Sequence, residues 1–238
     1  MEKLRQSVWE NSGKAVLQTA YFDDKLYDIP EMLLEIALED PLKTVAVPVA
    51  SVKTYPESGP YARMVEITLD YGRDALWLEG HKKELQRRAE ELKGEFEDLE
   101  PLEAAAEIAG WLRAHVTSVT PQSQESGHSG LESNAYGALV EGRADSQGLA
   151  MAFKLLCTQA GVESQVVRGE YRESPRYWNV VRLDKVWYHL DLVSYLTQDA
   201  GILLKNDRTL EDDYTWNTAL VPNAGVENLL PWPEPPAG

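Results

Sequence analysis

The sequence predicts an α+β fold in which a central buried helix packs on an antiparallel β-meander. Three observations carry that expectation. Apolar residues recur after Ser146 at Leu149, Ala152, Phe153, Leu156 and Ala160, the spacing of a helix buried along one face, and Gly161 supplies its stop. Three runs rich in Val, Tyr and Trp follow: VESQVVRGEY (162–171), RYWNVVRLD (176–184) and KVWYHLDLV (185–193). A tight turn near Leu183-Asp184-Lys185 joins the last two. A helix followed by consecutive strands, with no further helix between them, argues for α+β over a doubly wound sheet.

The remaining elements can be read in chain order. KAVLQTAYF (14–22) is compatible with strand or helix, and PEMLLEIALED (30–40) reads as a short helix with Pro30 near its start. KTVAVPVASVK (43–53) and YARMVEITLDY (61–71) read as strands of a hairpin across TYPESGP (54–60). In the second run Val65, Ile67, Leu69 and Tyr71 alternate with Met64, Glu66, Thr68 and Asp70, so one face is buried. Pro48 marks the first run as an edge strand or a bulged one. A charged helix over 73–93 carries Leu78, Leu85 and Leu92 on a narrow stripe, and a second helix over 102–115 carries Ala105, Ile108, Ala109 and Leu112. TPQSQESGHSGLESN (120–134) is a long polar loop, of the length that tends to be mobile or functional. These elements divide the chain into an amino-terminal α/β extension (1–98), a core domain (99–227) and a Pro-rich tail (228–238).

Composition narrows the function classes. A net charge of −16 with dispersed acidic residues describes a solvated surface and argues against nucleic acid, whose phosphates need clustered Lys and Arg. No window approaches the roughly 18 apolar residues needed to span a bilayer, and the first twenty residues lack the apolar stretch of a secretory signal. The expected location is therefore cytoplasmic for the chain as written, or extracytoplasmic if a leader has been trimmed. The single cysteine excludes an internal disulfide. Cys157 falls on the apolar face of the central helix, where a thiol is inert. His81 and His115 lie on helices without partners at ligand spacing, His128 lies in the polar loop, and LEDDY (210–214) is too short for a calcium loop, so no metal or other cofactor is expected.

The order AYGALVEG (135–142), central helix, AGVESQVVRG (160–169), WN (178–179), WYHLD (187–191) resembles the transglutaminase-like superfamily, which has a papain-like fold. The resemblance covers about residues 99–195. The upstream hairpin and charged helix are similar, more weakly, to the amino-terminal region of some bacterial members. The resemblance implies a nucleophilic cysteine at the head of the helix, a histidine two residues before the Trp of the next strand, and an aspartate in the strand after that. In such a chain the helix terminus and the imidazolium lower the thiol pKa, and the carboxylate orients the imidazole.

Carried over by position, the cysteine site holds Ser146, the histidine site holds Arg176, and Asp191 alone matches. Asp145 precedes Ser146, where the family has a small or apolar residue. A serine hydroxyl needs a general base within hydrogen-bond reach, and arginine stays protonated near neutral pH. Arg176 is expected to pair with Asp191, Asp145 or both, and Ser146, with Asp145, to cap the helix.

The resemblance therefore implies a pseudoenzyme, a catalytically degenerate transglutaminase-like domain acting as a peptide- or protein-binding or structural module. Asp145, Trp178, Asn179, Trp187 and His189 are candidates for its former substrate groove. The alternative is a serine-dependent amidase, esterase or peptidase using Ser146 with a base from outside the family pattern, such as His189. That residue lies two before Asp191, about 7 Å along the same strand face.

Overall fold

The computed structural model describes residues 1–23, 26–55, 64–120, 130–197, 203–225 and 227. The chain divides into two compact units, Met1–Lys83 and Glu84–Gly238.

The first unit contains α1 (Glu2–Trp9), β1 (Lys14–Gln18), α2 (Ile29–Glu39), β2 (Val49–Tyr55) and β3 (Met64–Asp70). The segment that fitted either strand or helix is a strand, because Lys14–Gln18 pairs antiparallel with β3 from Lys14↔Thr68 to Gln18↔Met64. The sheet runs β1-β3-β2, which leaves β2 at an edge, where the preceding Pro48 interrupts no ladder. Val65, Ile67 and Leu69 bury one face of β3 against Leu4, Val8, Leu33 and Ile36 of the two helices. Asp28 starts α2 by accepting from the Glu31 amide at 3.0 Å, with Pro30 in the first turn. The turn between β2 and β3 lies outside the described residues.

The division between the units falls inside α3 (Ala75–Phe96), whose Leu78, Leu85 and Leu92 are all buried. The second unit continues with α4 (Pro101–His115), β4 (Thr117–Ser118), a π-helical turn (Gly137–Glu141), β5 (Arg143–Ala144) and α5 (Ser146–Gln159). Then come β6 (Ser164–Tyr171), β7 (Ser174–Leu183), β8 (Val186–Leu190), α6 (Leu192–Leu196), β9 (Leu203–Lys205), α7 (Asp207–Leu210) and β10 (Tyr214–Trp216). The five-stranded sheet is antiparallel throughout, in the order β10-β6-β7-β8-β9. The class is α+β, with buried helices on an antiparallel sheet, as the sequence predicts.

Both hairpins of the meander close through two residues at positive φ: Arg172 (48°) and Glu173 (65°), then Asp184 (49°) and Lys185 (71°). Positive φ at both central positions is the type I′ arrangement, whose twist matches that of the flanking strands. The first turn extends β7 back to Ser174, two residues before the strand expected from sequence.

Helix α5 is buried along Leu149, Phe153, Leu156 and Cys157. It ends where Gly161 turns to φ 73°, letting the Val162 amide return to the Cys157 carbonyl at 2.8 Å. At its start, the 131–136 segment crosses so closely that a Cβ on Gly148 would stand 2.1 Å from the Glu132 carbonyl oxygen. Because that obstacle is backbone, Gly148→Ala is expected to cost about 1–3 kcal/mol through overpacking. Chemical denaturation of the variant checks this, and an unchanged midpoint would mean the crossing segment is not held against the helix. Residues 121–129 of the polar loop and 228–238 of the tail lie outside the described residues.

Candidate functional site at the head of the central helix

Asp145 and Ser146 stand together at the head of α5, but Ser146 is not the cap. Asp145 takes that role, its extended backbone letting Oδ1 accept from the Gly148 amide at 3.0 Å. The physical reason is position: Asp145 lies just outside the helix, whereas Ser146 is its first helical residue. The Ser133 hydroxyl donates to the other carboxylate oxygen of Asp145, which ties the crossing segment to the helix head. Burial pushes the Asp145 carboxyl above its ordinary range, against the pull of Ser133 and the helix amides. Ser146 is half-buried, and its Oγ accepts from the Tyr177 amide of β7 at 3.3 Å. Among the described residues, no imidazole, amine or carboxylate is hydrogen-bonded to Ser146 Oγ.

On β7 the neighbouring Arg176 turns to the start of α6. Its Nε donates to Asp191 Oδ2 at 2.9 Å and its Nη2 to Ser194 Oγ at 3.3 Å. The ion pair is enclosed, with 17% of the Arg176 side chain exposed and none of Asp191. Asp191 also heads α6, where Oδ1 accepts from the amides of Val193 (2.9 Å) and Ser194 (3.3 Å). Its Oδ2 further accepts from the Tyr214 hydroxyl at 2.8 Å and the Ser194 hydroxyl at 3.2 Å. The buried carboxylate is thus fully supplied with donors, as an enclosed charge must be. Burial and the adjacent Asp191 raise the Tyr214 phenol well above its ordinary value. Of the two pairings expected for Arg176, the one with Asp191 is present. Its guanidinium also lies 5.5 Å from the Tyr171 ring centre.

The other candidates sit deeper. Trp178, Asn179 and His189 are buried, whereas Trp187 and Asp145 are half-buried. Trp178 Nε1 donates to His189 Nδ1 at 2.9 Å, and His189 Nε2 meets Asp207 Oδ1 at 2.7 Å. Both imidazole nitrogens are therefore engaged, and neither of these bonds leads to Ser146. Asn179 Nδ2 donates to the Ala150 carbonyl at 3.0 Å, pinning β7 to α5. Room for the Trp178 indole comes from Gly169 on β6, where a Cβ would stand 2.7 Å from the ring and 2.0 Å from the Thr215 carbonyl oxygen.

Tyr214, Ser194, Ser133 and Asp207 complete these networks and were not singled out from the sequence. Tyr214 ends LEDDY, a stretch whose acidity masks a tyrosine that pairs with Tyr171 across β10 and β6. A cleft of about 520 Å³ opens beside Tyr177, lined by Arg168, Glu170, Pro175, Tyr177, Trp216 and Asn217 among others. Cys157 is fully buried, and burial raises its thiol well above the ordinary value. Among the described residues, no group of three or more His, Cys, Asp or Glu side chains is placed to hold a metal ion. No helix among them is long and apolar enough to cross a membrane.

Residues 87–192 match the family described as the Transglutaminase-like superfamily. No curated protein matches the chain. Solved structures similar to it include one described as a TGase, at 13% identity and a TM-score of 0.41 over 76% of this chain and 51% of that one. Another is a protein from Cytophaga hutchinsonii proposed as a cysteine protease, at 12% identity and a TM-score of 0.36 over 61% of each chain. This chain thus spans about half to six tenths of the length of those two. The similarity to the transglutaminase-like superfamily thus rests on residues 87–192.

Proposed function

We propose that the carboxy-terminal unit is a transglutaminase-like module that has lost its transfer chemistry and holds a peptide or protein segment instead of modifying it. In this reading Ser146 and Arg176 stand where related enzymes carry cysteine and histidine. The observation that carries it is the pairing around them: Arg176 is bonded to Asp191 at 2.9 Å, while among the described residues Ser146 Oγ receives only a backbone amide. A hydroxyl without a general base yields no useful alkoxide, and a guanidinium cannot accept its proton. The Arg176–Asp191 pair replaces the imidazole–carboxylate pair in position, with a structural role in place of proton transfer.

The cleft beside Tyr177 supports a binding role. Its volume falls within the range of ligand pockets, and it combines aromatic walls with charged and amide groups, a lining suited to an extended peptide. The serine-hydrolase alternative gains no support from the geometry, because Trp178 and Asp207 occupy both nitrogens of His189.

The test is turnover of a panel of glutamine peptides and esters, with Ser146→Ala as background. The expected result is no turnover in either protein, together with saturable binding of some peptides in fluorescence polarisation. Turnover abolished by Ser146→Ala would overturn the inactive-site reading. A complete absence of binding across diverse peptide pools would overturn the holding role.

A further inference from the structure

In this chain Lys14, Lys43, Lys83 and Lys93 are each held by a carboxylate, from Glu66, Asp40, Glu79 and Glu97 respectively. Lys82, on the α3 segment of the amino-terminal unit, is held differently. Its Nζ donates to the Trp9 carbonyl, the last carbonyl of α1, at 2.5 Å. Among the described residues no carboxylate lies within ion-pair distance of that Nζ. The side chain is half-buried, so the ammonium has given up part of its water for a single backbone acceptor. A second cation stands at the same tryptophan, with Lys43 Nζ 3.9 Å from the centre of the Trp9 ring.

The chemistry open to a lysine depends on which form its surroundings favour. A carboxylate partner holds the ammonium. A carbonyl accepts from the ammonium and from the neutral amine alike, and leaves the amine its lone pair. The charges around Lys82 pull both ways. Glu79 on its own helix, Asp40 just past α2 and Glu10 just past α1 favour the ammonium, whereas Lys43 opposes it. The carboxy-terminal end of α1 favours it as well. Burial is the largest influence, and the Lys82 pKa lies below its ordinary 10.5. Desolvation beside another cation is an arrangement that activates lysine as a nucleophile.

We propose that Lys82 is an acylation site of the amino-terminal unit, taking acyl groups from thioesters. The neutral Nζ attacks the thioester carbonyl carbon, a C–N bond forms and the C–S bond breaks. The sulfur leaves as a thiol, carrying the proton that the nitrogen sheds. The amide product keeps one N–H, which can stay on the Trp9 carbonyl, while the positive charge at the end of α1 is lost. Helix α1 has no basic residue in its own last turn to replace that charge, so the modification changes the electrostatics of the helix end and leaves its hydrogen bond in place.

The test applies a small thioester, S-acetyl-N-acetylcysteamine, in limiting amount to the full chain, with initial rates read lysine by lysine by mass spectrometry. Near pH 8, Lys82 is expected to be acetylated at least about five times faster than Lys83, its exposed and ion-paired neighbour. An equal or slower rate at Lys82 would overturn the proposal. In denaturant the two rates should converge, because the unfolded chain has neither the buried environment nor the Trp9 contact. A preference that survived denaturation would belong to the local sequence and would equally overturn it. Across about pH 7 to 10, the Lys82 rate should level off at a lower pH than the Lys83 rate. Levelling at the same pH would show that the fold does not activate this amine.

Discussion

Arg176→Ala is expected to destabilise the carboxy-terminal unit by about 2–4 kcal/mol, a large share of an ordinary domain's stability. The cost arises because Asp191, with none of its side chain exposed, would stay behind without its counter-charge. The loss should fall short of the most severe cases, since Tyr214, Ser194 and two backbone amides still donate to the carboxylate. Calorimetry should register a fall in Tm of several degrees at this chain length. Arg176→Gln, which keeps a donor but no charge, should lie between the alanine variant and the wild type. A Tm within about 1 °C of wild type for Arg176→Ala would mean that the pair contributes no more than an exposed one does.

The second large effect is a gain. Ser146→Cys combined with Arg176→His is expected to create a thiol that iodoacetamide modifies, near pH 6.5, at least about ten times faster than in Ser146→Cys alone. An ordinary thiol is about one part in a hundred ionised at that pH, whereas a helix N-terminus and an imidazolium together raise the thiolate fraction steeply. Asp191 already waits on the strand face toward which residue 176 points, in position to orient an introduced imidazole. The measurement is clean because Cys157 is buried with a raised pKa. Equal rates in the single and double variants would show that positions 146 and 176 do not form a cysteine–histidine pair, and with that the proposed descent of the site would fall.

The central helix and the meander were legible in the sequence because each has a strong period of its own. Leu149, Phe153 and Leu156 mark the helix, the Val- and Trp-rich runs mark β6, β7 and β8, and Gly161 and Lys185 sit where the chain reverses. Pro48 narrowed the first run to an edge strand or a bulged one, and the sheet order makes it the edge. Less visible were features set by tertiary context. Arg172-Glu173 carries no turn signature, yet it adopts the same positive-φ turn as Asp184-Lys185 because both flanking strands are held in register by the sheet. Strand β10, at three residues, is too short to show a period. At the site, a pairing of Arg176 with Asp191, Asp145 or both followed from the family resemblance and from charge, and the structure shows the one with Asp191, but the burial of Asn179 and His189 was not legible. Sequence places those side chains on two neighbouring strands, and only packing decides which face is sealed.

The two sheets also differ in how they end. The five-stranded sheet is bounded by β10 and β9, each three residues long, so little free backbone is offered at either margin. The three-stranded sheet ends instead in β1, of five residues, and β2, of seven. Long unpaired margins are templates for other strands, and charged side chains and adjacent prolines are common guards against such pairing. Lys14 and Lys53 lie within these two strands, and Pro48 immediately precedes the second. The amino-terminal unit is therefore where self-association through strand pairing would begin, with Lys53 and Pro48 as the residues that hold it off.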